Sequence, residues 1–255
     1  MTELPIRSPL GADATAGGAP VFFTALTAST MDDARRLVRQ GAPSGTVVVT
    51  DFQTAGRGRR PGREWVSPPG ESLMFTVALH APRDPVTRSL VMAVAVARML
   101  EQKFDLDVAV KWPNDVLVRG RKICGILADH EGWLYLGVGL NLRQAGFPAE
   151  LADTATSVAV ETRSCPQRYV DALFDRDRLL CDVLELYRAL EPEWHALLSR
   201  RLWMAGEEVD VAVPFGPTLR GRLAGIADDG CLLVQAGRLH RVAAGEVSLR
   251  RGFRT

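Results

Sequence analysis

The residues best suited to chemistry lie between positions 53 and 65, in the stretch QTAGRGRRPGREW. Arg57 and Arg59 offer planar, permanently charged guanidinium groups that suit phosphate and carboxylate. Gly56 and Gly58 allow the backbone to approach an anion closely. Taken alone, the stretch fits a clamp for a small anionic ligand about as well as a solvated basic loop or a nucleic-acid contact.

Three further segments place polar residues beside predicted strands. In KWPND, Lys111 ends a strand, and an asparagine and Asp115 lie on the turn that follows. Lys122 precedes a strand that contains Gly125, where a side chain would obstruct a close-lying ligand. The segment GVGLN repeats this pattern and ends on the polar Asn141.

The sequence contains no arrangement typical of nucleophilic or zinc-dependent catalysis. It has no G-x-S-x-G, no H-E-x-x-H and no Walker-type phosphate loop. Convergent positive charge, close-approach glycines and a few amides remain. These groups suit an acyl-adenylation, in which a bound carboxylate attacks the α-phosphate of ATP while the protein positions the reactants and neutralises charge.

Composition restricts the choice of partner. The 255 residues are 47% hydrophobic and 24% charged, and Lys plus Arg number 31 against 30 Asp plus Glu. A nucleic-acid-binding domain usually carries a basic excess, so the local charge of residues 57–63 favours a small ligand. Four scattered cysteines without metal or disulfide spacing are typical of a reducing compartment. With no signal peptide and no membrane-spanning apolar run, we expect a cytoplasmic protein.

A scaffold must hold these segments together, and the hydrophobic pattern predicts three parts. Residues 1–20 lack periodicity and predict a mobile tail. Residues 21–204 predict a main domain of strands and helices, including a helix from Val86 to Phe104 and a helical region from Pro166 to Arg201. Residues 205–255 alternate in short strands with Gly- and Asp-rich turns, which predicts a small barrel-like β module.

Six segments, in this order, resemble the biotin protein ligase family: STMDDA, QTAGRGRR, REWVSPPG, KWPNDVLV, KICGIL and GVGLNL. The resemblance runs from about Val21 to Asn141, and the C-terminal β module also fits it. It implies an α+β fold, in which a mixed β-sheet catalytic domain with flanking helices, similar to class II synthetases, precedes an SH3-like barrel. It also implies that biotin and ATP form biotinyl-5′-adenylate, and that a lysine of a biotin carboxyl carrier protein domain accepts the biotinyl group.

By motif position, the resemblance also implies roles for individual residues. Those expected to bind biotin are Ser29, Thr30, Gln53, Arg57, Gly58, Arg59, Lys111 and Gly125. Those expected to bind ATP are Arg57, Arg59, Trp65, Asn114, Lys122 and Asn141. Those expected to take part in catalysis are Arg57, Lys111, Asp115 and Lys122. Lys111 is expected to reach the biotin carboxylate and to be needed for adenylate formation. Asp115 would orient Lys111 or help to accept the acceptor lysine's proton, and Mg²⁺ is expected to arrive with ATP, without an assigned protein ligand.

The chain departs from the family pattern at two positions, since Pro61 is inserted after Arg60 and Asp129 stands where glutamate is usual. Some family members carry an N-terminal helix-turn-helix and act as repressors. About twenty low-complexity residues precede the first strand of this chain, so we expect no DNA binding. A lipoate or octanoate ligase and a nucleic-acid-binding protein stay as alternatives, and a free or paired sheet edge leaves a homodimer open.

Overall fold

The computed structural model describes residues 15–16, 19–59, 62–80, 85–163, 175–190, 192–214 and 216–249. The helices in these ranges are α1 Thr30–Arg39, α2 Pro85–Phe104, α3 Val158–Glu161, α4 Arg176–Ala189 and α5 Trp194–Ser199. The strands of the main sheet are β1 Thr15–Ala16, β2 Ala19–Thr27, β3 Val47–Gln53, β4 Ser72–His80, β5 Val108–Lys111, β6 Asp115–Val118, β7 Arg121–His130 and β8 Trp133–Asn141. The strands of a second sheet are β9 Glu208–Ala212, β10 Leu219–Ile226, β11 Leu232–Ala236, β12 Arg238–Val242 and β13 Glu246–Leu249.

The main sheet is mixed and has eight strands in the order β1-β2-β3-β4-β8-β7-β6-β5. Only β2 and β3 pair in parallel among these strands, because α1 carries the chain from the end of β2 back to the start of β3. The remaining neighbours are antiparallel. This arrangement confirms the expected α+β class with a mixed sheet.

Helices cover the two faces of the sheet differently. The long helix α2 confirms the helix predicted from Val86 to Phe104, starts one residue earlier, and packs in the main hydrophobic core with α4 and β7. Its central residues, such as Leu90, Val94 and Leu100, are fully buried, which explains why its sequence is apolar on more than one side. The short helix α1 packs on the opposite face through Met31 and Ala34.

Along strand β8, successive side chains point alternately to the two faces of the sheet. Leu136 and Leu140 point into the core beneath α2, whereas Tyr135 packs in the smaller cluster around α1. Gly137 and Gly139 therefore lie on the α1 face. Because neither glycine has a side chain, Met31 of α1 comes close to the strand at Gly137, and Trp65 does so at Gly139.

The C-terminal strands form a five-stranded antiparallel sheet in the order β12-β11-β10-β9-β13. This confirms a small β module, but no pairing among the described residues joins β12 to β13 and closes a barrel. The two sheets are tied together by Trp112, which is 1% exposed and whose Nε1 donates a hydrogen bond to the carbonyl of Gly230 at 3.0 Å.

Two other expectations need correction or restriction. The tail expected over residues 1–20 ends in ordered strand, because Thr15 and Ala16 pair with Pro20 and Ala19, and residues 1–14 and 17–18 lie outside the described part. The predicted helical region from residue 166 to residue 201 contains α4 and α5, separated near Pro192, where the missing backbone N–H interrupts a helix. Residues 164–174 and 191 lie outside the described part. No helix in the described ranges has the length and hydropathy to cross a bilayer.

Candidate active site

A cavity of about 60 Å³ lies on the α1 face of the main sheet, beside the N-terminus of α1. Six parts of the chain meet there: the start of α1, the end of β3 with the loop after it, the middle of β4, the turn between β5 and β6, the first half of β7 and the second half of β8. The lining residues are Ser29, Thr30, Met31, Gln53, Arg57, Gly58, Arg59, Trp65, Thr76, Asn114, Lys122, Gly125, Ile126, Leu127, Gly137, Val138 and Gly139. The structure thus brings together most of the residues that the sequence singled out.

Glycines form the floor of the cavity, and side chains of the chain itself lie against them. A Cβ atom at Gly139 would lie 2.7 Å from Cζ2 and 2.8 Å from Cδ2 of Trp65. A Cβ atom at Gly125 would lie 2.9 Å from Nζ of Lys122. In the structure the protein's own Lys122 and Trp65 side chains lie close to these glycines, and the close approach of a ligand there stays a prediction.

One end of the cavity is polar. The backbone N–H and the hydroxyl of Thr30 donate to Oε1 of Gln53 at 2.9 and 3.1 Å. The Thr30 hydroxyl also lies 2.8 Å from the hydroxyl of Thr76, which is completely buried on β4. Thr76 was missed by the sequence interpretation, although a threonine inside the apolar run SLMFTVAL was a usable signal. Together these groups can donate and accept hydrogen bonds to a neutral polar ligand group.

The loop after β3 closes over the cavity as a small ladder. The N–H of Gly58 donates to the carbonyl of Arg63 at 2.8 Å, and the N–H of Trp65 donates to the carbonyl of Gly56 at 3.0 Å. This pairing turns the loop back on itself, so the Trp65 ring is carried over the floor. Residues 60 and 61 lie outside the described part, so the expected effect of the Pro61 insertion stays a prediction.

The two loop arginines that line the cavity, Arg57 and Arg59, have different anchors. Arg57 Nη2 donates to the hydroxyl of Ser29 at 3.3 Å. Ser29 is the N-cap residue of α1, and its side chain makes no capping hydrogen bond, so its hydroxyl is available to the loop. Arg59 instead reaches the second sheet, where its Nη2 donates to the carbonyl of Gly245 at 3.1 Å and lies 3.3 Å from a carboxylate oxygen of Glu246. Both guanidinium groups still line the cavity.

Lys122 provides the ammonium group of the site. Its Nζ lies 2.7 Å from Oδ1 of Asp115 and 5.9 Å from the centre of the Trp65 ring. Asp115 does not line the cavity but holds the lysine from one side. Burial raises the pKa of the neighbouring Cys124 thiol far above its ordinary value, although the Lys122 charge acts in the opposite direction. The thiol is therefore protonated and is no candidate nucleophile.

Lys111 is not part of the cavity, contrary to the expectation that it reaches the biotin carboxylate. It ends β5, the edge strand of the sheet, and its Nζ lies 5.2 Å from the ring centre of Trp203. Its register partner Asp115 is already paired with Lys122, which lies nearer to the glycine floor. The order of strands across the sheet, not the motif, therefore decides which lysine faces the site.

Of the two asparagines expected at the nucleotide, one lines the cavity. Asn114 does so, and its Nδ2 donates to the carbonyl of Ile126 at 3.0 Å. Asn141 is 5% exposed and does not line it. Its Nδ2 donates to the carbonyl of Thr156 at 3.0 Å and its Oδ1 accepts from Gln144 at 3.1 Å. Asn141 therefore anchors the segment that follows β8.

The fold and the cavity together define a class of protein. A mixed α+β sheet presents a polar pocket, two loop arginines and one lysine, while the cavity lining contains no cysteine, histidine or carboxylate side chain. Such a site binds a small anionic ligand and acts by positioning it and neutralising its charge.

The comparisons with known proteins identify the family within this class. Residues 23–132 match the Biotin/lipoate A/B protein ligase family, and residues 205–250 match the Biotin protein ligase C terminal domain. The biotin–[acetyl-CoA-carboxylase] ligase of Mycobacterium tuberculosis is 32% identical over 244 residues, covering 92% of this chain and 90% of that protein. The ligase of the same name from Paracoccus denitrificans is 31% identical, with 84% and 94% covered. A biotin protein ligase from Aquifex aeolicus in complex with biotin and ATP has a TM-score of 0.77 at 28% identity, with 91% and 99% covered. The chain belongs to the biotin/lipoate A/B protein ligase family.

Proposed function

We propose that this protein is a biotin protein ligase. It activates biotin with ATP to biotinyl-5′-adenylate and transfers the biotinyl group to a lysine of a biotin carboxyl carrier protein domain. The observation that carries this proposal is one cavity with a neutral polar end, two arginines and a lysine. Relatives named for this reaction, which match over most of the chain, support it.

The residues that line the cavity offer partners for both polar groups of biotin. Its ureido group needs donors and acceptors, which the Thr30, Gln53 and Thr76 cluster offers in a buried setting. Its carboxylate needs positive charge, which Arg57 and Arg59 offer in the same cavity, with Gly58 allowing close approach of the backbone. Ser29 and Gly125 complete the biotin-binding set, and Lys111 is left out of it.

Lys122 takes the role that the sequence assigned to Lys111. Positive charge near the acyl and phosphate oxygens stabilises the charge that develops as the carboxylate attacks the α-phosphate. Lys122 lines the cavity, and Asp115 fixes its ammonium group from outside. Asp115 is therefore a positioning residue for Lys122, and Arg57 shares the neutralisation.

The nucleotide would lie beside Trp65 and Asn114, which both line the cavity. No three His, Cys, Asp or Glu side chains in the described ranges gather as a metal site. A Mg²⁺ ion would be delivered on the phosphates of ATP, where it would neutralise phosphate charge. A cavity of about 60 Å³ is far smaller than the ~300–1,000 Å³ typical of ligand pockets, so the loop that carries Trp65 must move aside.

The finer architecture follows from this function. We propose that the main sheet and its helices form a class II synthetase-like catalytic domain over residues 21–204, and that residues 205–255 form an SH3-like domain. The five short antiparallel strands and the match to a ligase C-terminal domain support the second assignment. A cytoplasmic location agrees with the three described cysteines, all of which are free thiols.

Exchange of labelled pyrophosphate into ATP tests the proposal. The assay is run with biotin, with lipoate and without any acid, because exchange requires a reversible adenylation of the acid that is present. We expect exchange to depend on biotin. Exchange that responds to lipoate and not to biotin would transfer the assignment to the lipoate class, and no exchange with either acid would reject the ligase function.

A further inference from the structure

We infer that Asp32 is a positioning residue for Arg57, the loop arginine that would hold the ligand carboxylate. Asp32 lies in the first turn of α1 and does not line the cavity. Its Oδ1 accepts a hydrogen bond from Arg57 Nη2 at 2.6 Å, the shorter of the two hydrogen bonds that the structure gives this guanidinium. The identity of the ligand rests on the proposed function, whereas the contact itself does not.

The same oxygen of Asp32 has a second cationic partner. Arg35 Nη1 donates to Oδ1 at 2.9 Å, one helical turn further along α1. The Arg35 side chain is only 14% exposed, compared with 53% for Asp32 and 45% for Arg57. Arg35 is therefore the fixed member of the group, and the loop arginine is the one that can move.

Arg35 is fixed because the far ends of two strands hold it. Its guanidinium carbon lies 5.1 Å from the ring centre of Tyr135 on β8. Its Nη2 donates to the carboxylate of Asp129 on β7, and its Nε lies 3.7 Å from a carboxylate oxygen of Glu131. The aspartate that replaces the usual glutamate at position 129 thus belongs to this support. A chain of contacts runs from the rigid sheet through Arg35 and Asp32 to the loop.

The contact with Asp32 can position Arg57 without occupying all of the donors that a ligand carboxylate would need. An arginine has five N–H donors, and the contacts with Asp32 and Ser29 both use Nη2. No hydrogen bond to another described residue uses the donors on Nε and Nη1, so these donors can serve a ligand carboxylate. Holding a mobile side chain before the ligand arrives reduces the conformational entropy that binding must overcome. We therefore expect Asp32 to strengthen ligand binding.

Two variants in the same helical turn test this role. Asp32→Asn removes the charge that faces Arg57, and Asp33→Asn removes a neighbouring charge whose partner is Arg36, at 3.3 Å. Both changes remove one carboxylate charge from the first turn of α1, so the control accounts for the general effect of such a charge on the helix dipole. We expect the Kd for biotin, measured by titration calorimetry, to rise about two- to fivefold in Asp32→Asn, as for a half-exposed ion pair. The Kd of Asp33→Asn for biotin should stay within about 1.5-fold of the wild-type Kd, because surface salt bridges contribute little free energy.

A double-mutant cycle separates action through Arg57 from general destabilisation. If Asp32 acts through Arg57, Asp32→Asn has no further effect on the biotin Kd in an Arg57→Gln background. Equal effects in both backgrounds, or tighter biotin binding by Asp32→Asn, would overturn the inference. Asp32→Glu, which keeps the charge, should restore most of the affinity.

A ligand-free measurement keeps the inference separate from the proposed function. Amide hydrogen exchange of residues 54–59 in the empty protein should be faster in Asp32→Asn than in the wild type or Asp33→Asn. Unchanged exchange in this segment would refute the positioning role even if biotin binds. If the wild-type protein neither binds biotin nor supports pyrophosphate exchange, the ligase function is rejected. The hydrogen-exchange result for residues 54–59 would remain valid in that case.

Discussion

Replacing Lys122 and Lys111 separately by alanine tests whether the position of a lysine in the sheet decides its role. Both are single positive charges, and both lie near a tryptophan ring, at 5.9 Å from Trp65 and 5.2 Å from Trp203. Only Lys122 lines the cavity. The comparison therefore tests location and not residue type.

The expected magnitudes follow from what each ammonium group contacts. Removing one preorganised donor that stabilises developing charge typically lowers kcat by 10² to 10³. The Lys122 side chain is 36% exposed, so solvent screens it in part and we expect a loss near 10²-fold. Lys111→Ala removes a cation–π contact at the sheet edge, which costs about 0.5–1 kcal/mol of stability and changes the exchange rate less than about threefold.

Biotin-dependent pyrophosphate exchange at saturating biotin and ATP is the assay, because it reports adenylate formation without the carrier protein. Thermal melts of each variant show whether the fold is kept. Lys122→Arg serves as the matched control, since it retains the charge beside Asp115 and should keep more activity than Lys122→Ala. Wild-type exchange in Lys122→Ala, or an equal loss in Lys111→Ala, would refute the assignment of roles by position in the sheet.

Three further outcomes are expected. In Gly139→Ala the added methyl carbon would lie 2.7 Å from Cζ2 of Trp65 and closer still to Cε2, so the loop must shift and we expect exchange activity to fall about 10²-fold. Activity near the wild-type value would show that the indole can shift without cost. Trp112→Phe leaves the buried carbonyl of Gly230 without its donor and should lower the free energy of unfolding in urea by about 1–3 kcal/mol; an unchanged value would mean that this contact between the sheets is dispensable. The backbone N–H of Cys231 lowers the pKa of the Asp229 carboxyl in the folded protein. The ionised carboxylate therefore stabilises the fold above pH ~4, and this stabilisation is lost as the pH falls through the lower pKa of the folded state. Asp229→Asn should therefore flatten the acid side of the profile of Tm against pH, and parallel profiles would contradict this.

The sequence determined the parts of this protein that depend on local pattern. The apolar positions from Val86 to Phe104 predicted α2. Gly125 was predicted to be a place where a ligand lies close to the strand, because a glycine inside a strand often marks such a close approach. The loop arginines were found because their density is unusual in a nearly neutral chain.

Contacts between distant segments could not be predicted from the same patterns. Thr76 looked like one more residue of a buried strand, yet it meets Thr30 across 46 positions of sequence. Asn141 was expected to face the ligand, yet its side-chain amide donates a hydrogen bond to the backbone carbonyl of Thr156. In both cases the side chain's partner belongs to another element, and local periodicity says nothing about which elements become neighbours.

The sequence by itself therefore determined which elements form and which residue types are available for chemistry. The tertiary structure decided which of these residues meet. Periodicity fixes the face of a strand on which a side chain lies, but the lateral order of strands depends on long-range pairing, and that order puts Lys111 at the edge and Lys122 beside the cavity. The same pairing brings Arg35, held at the ends of β7 and β8, within reach of Asp32 and so of the loop arginine.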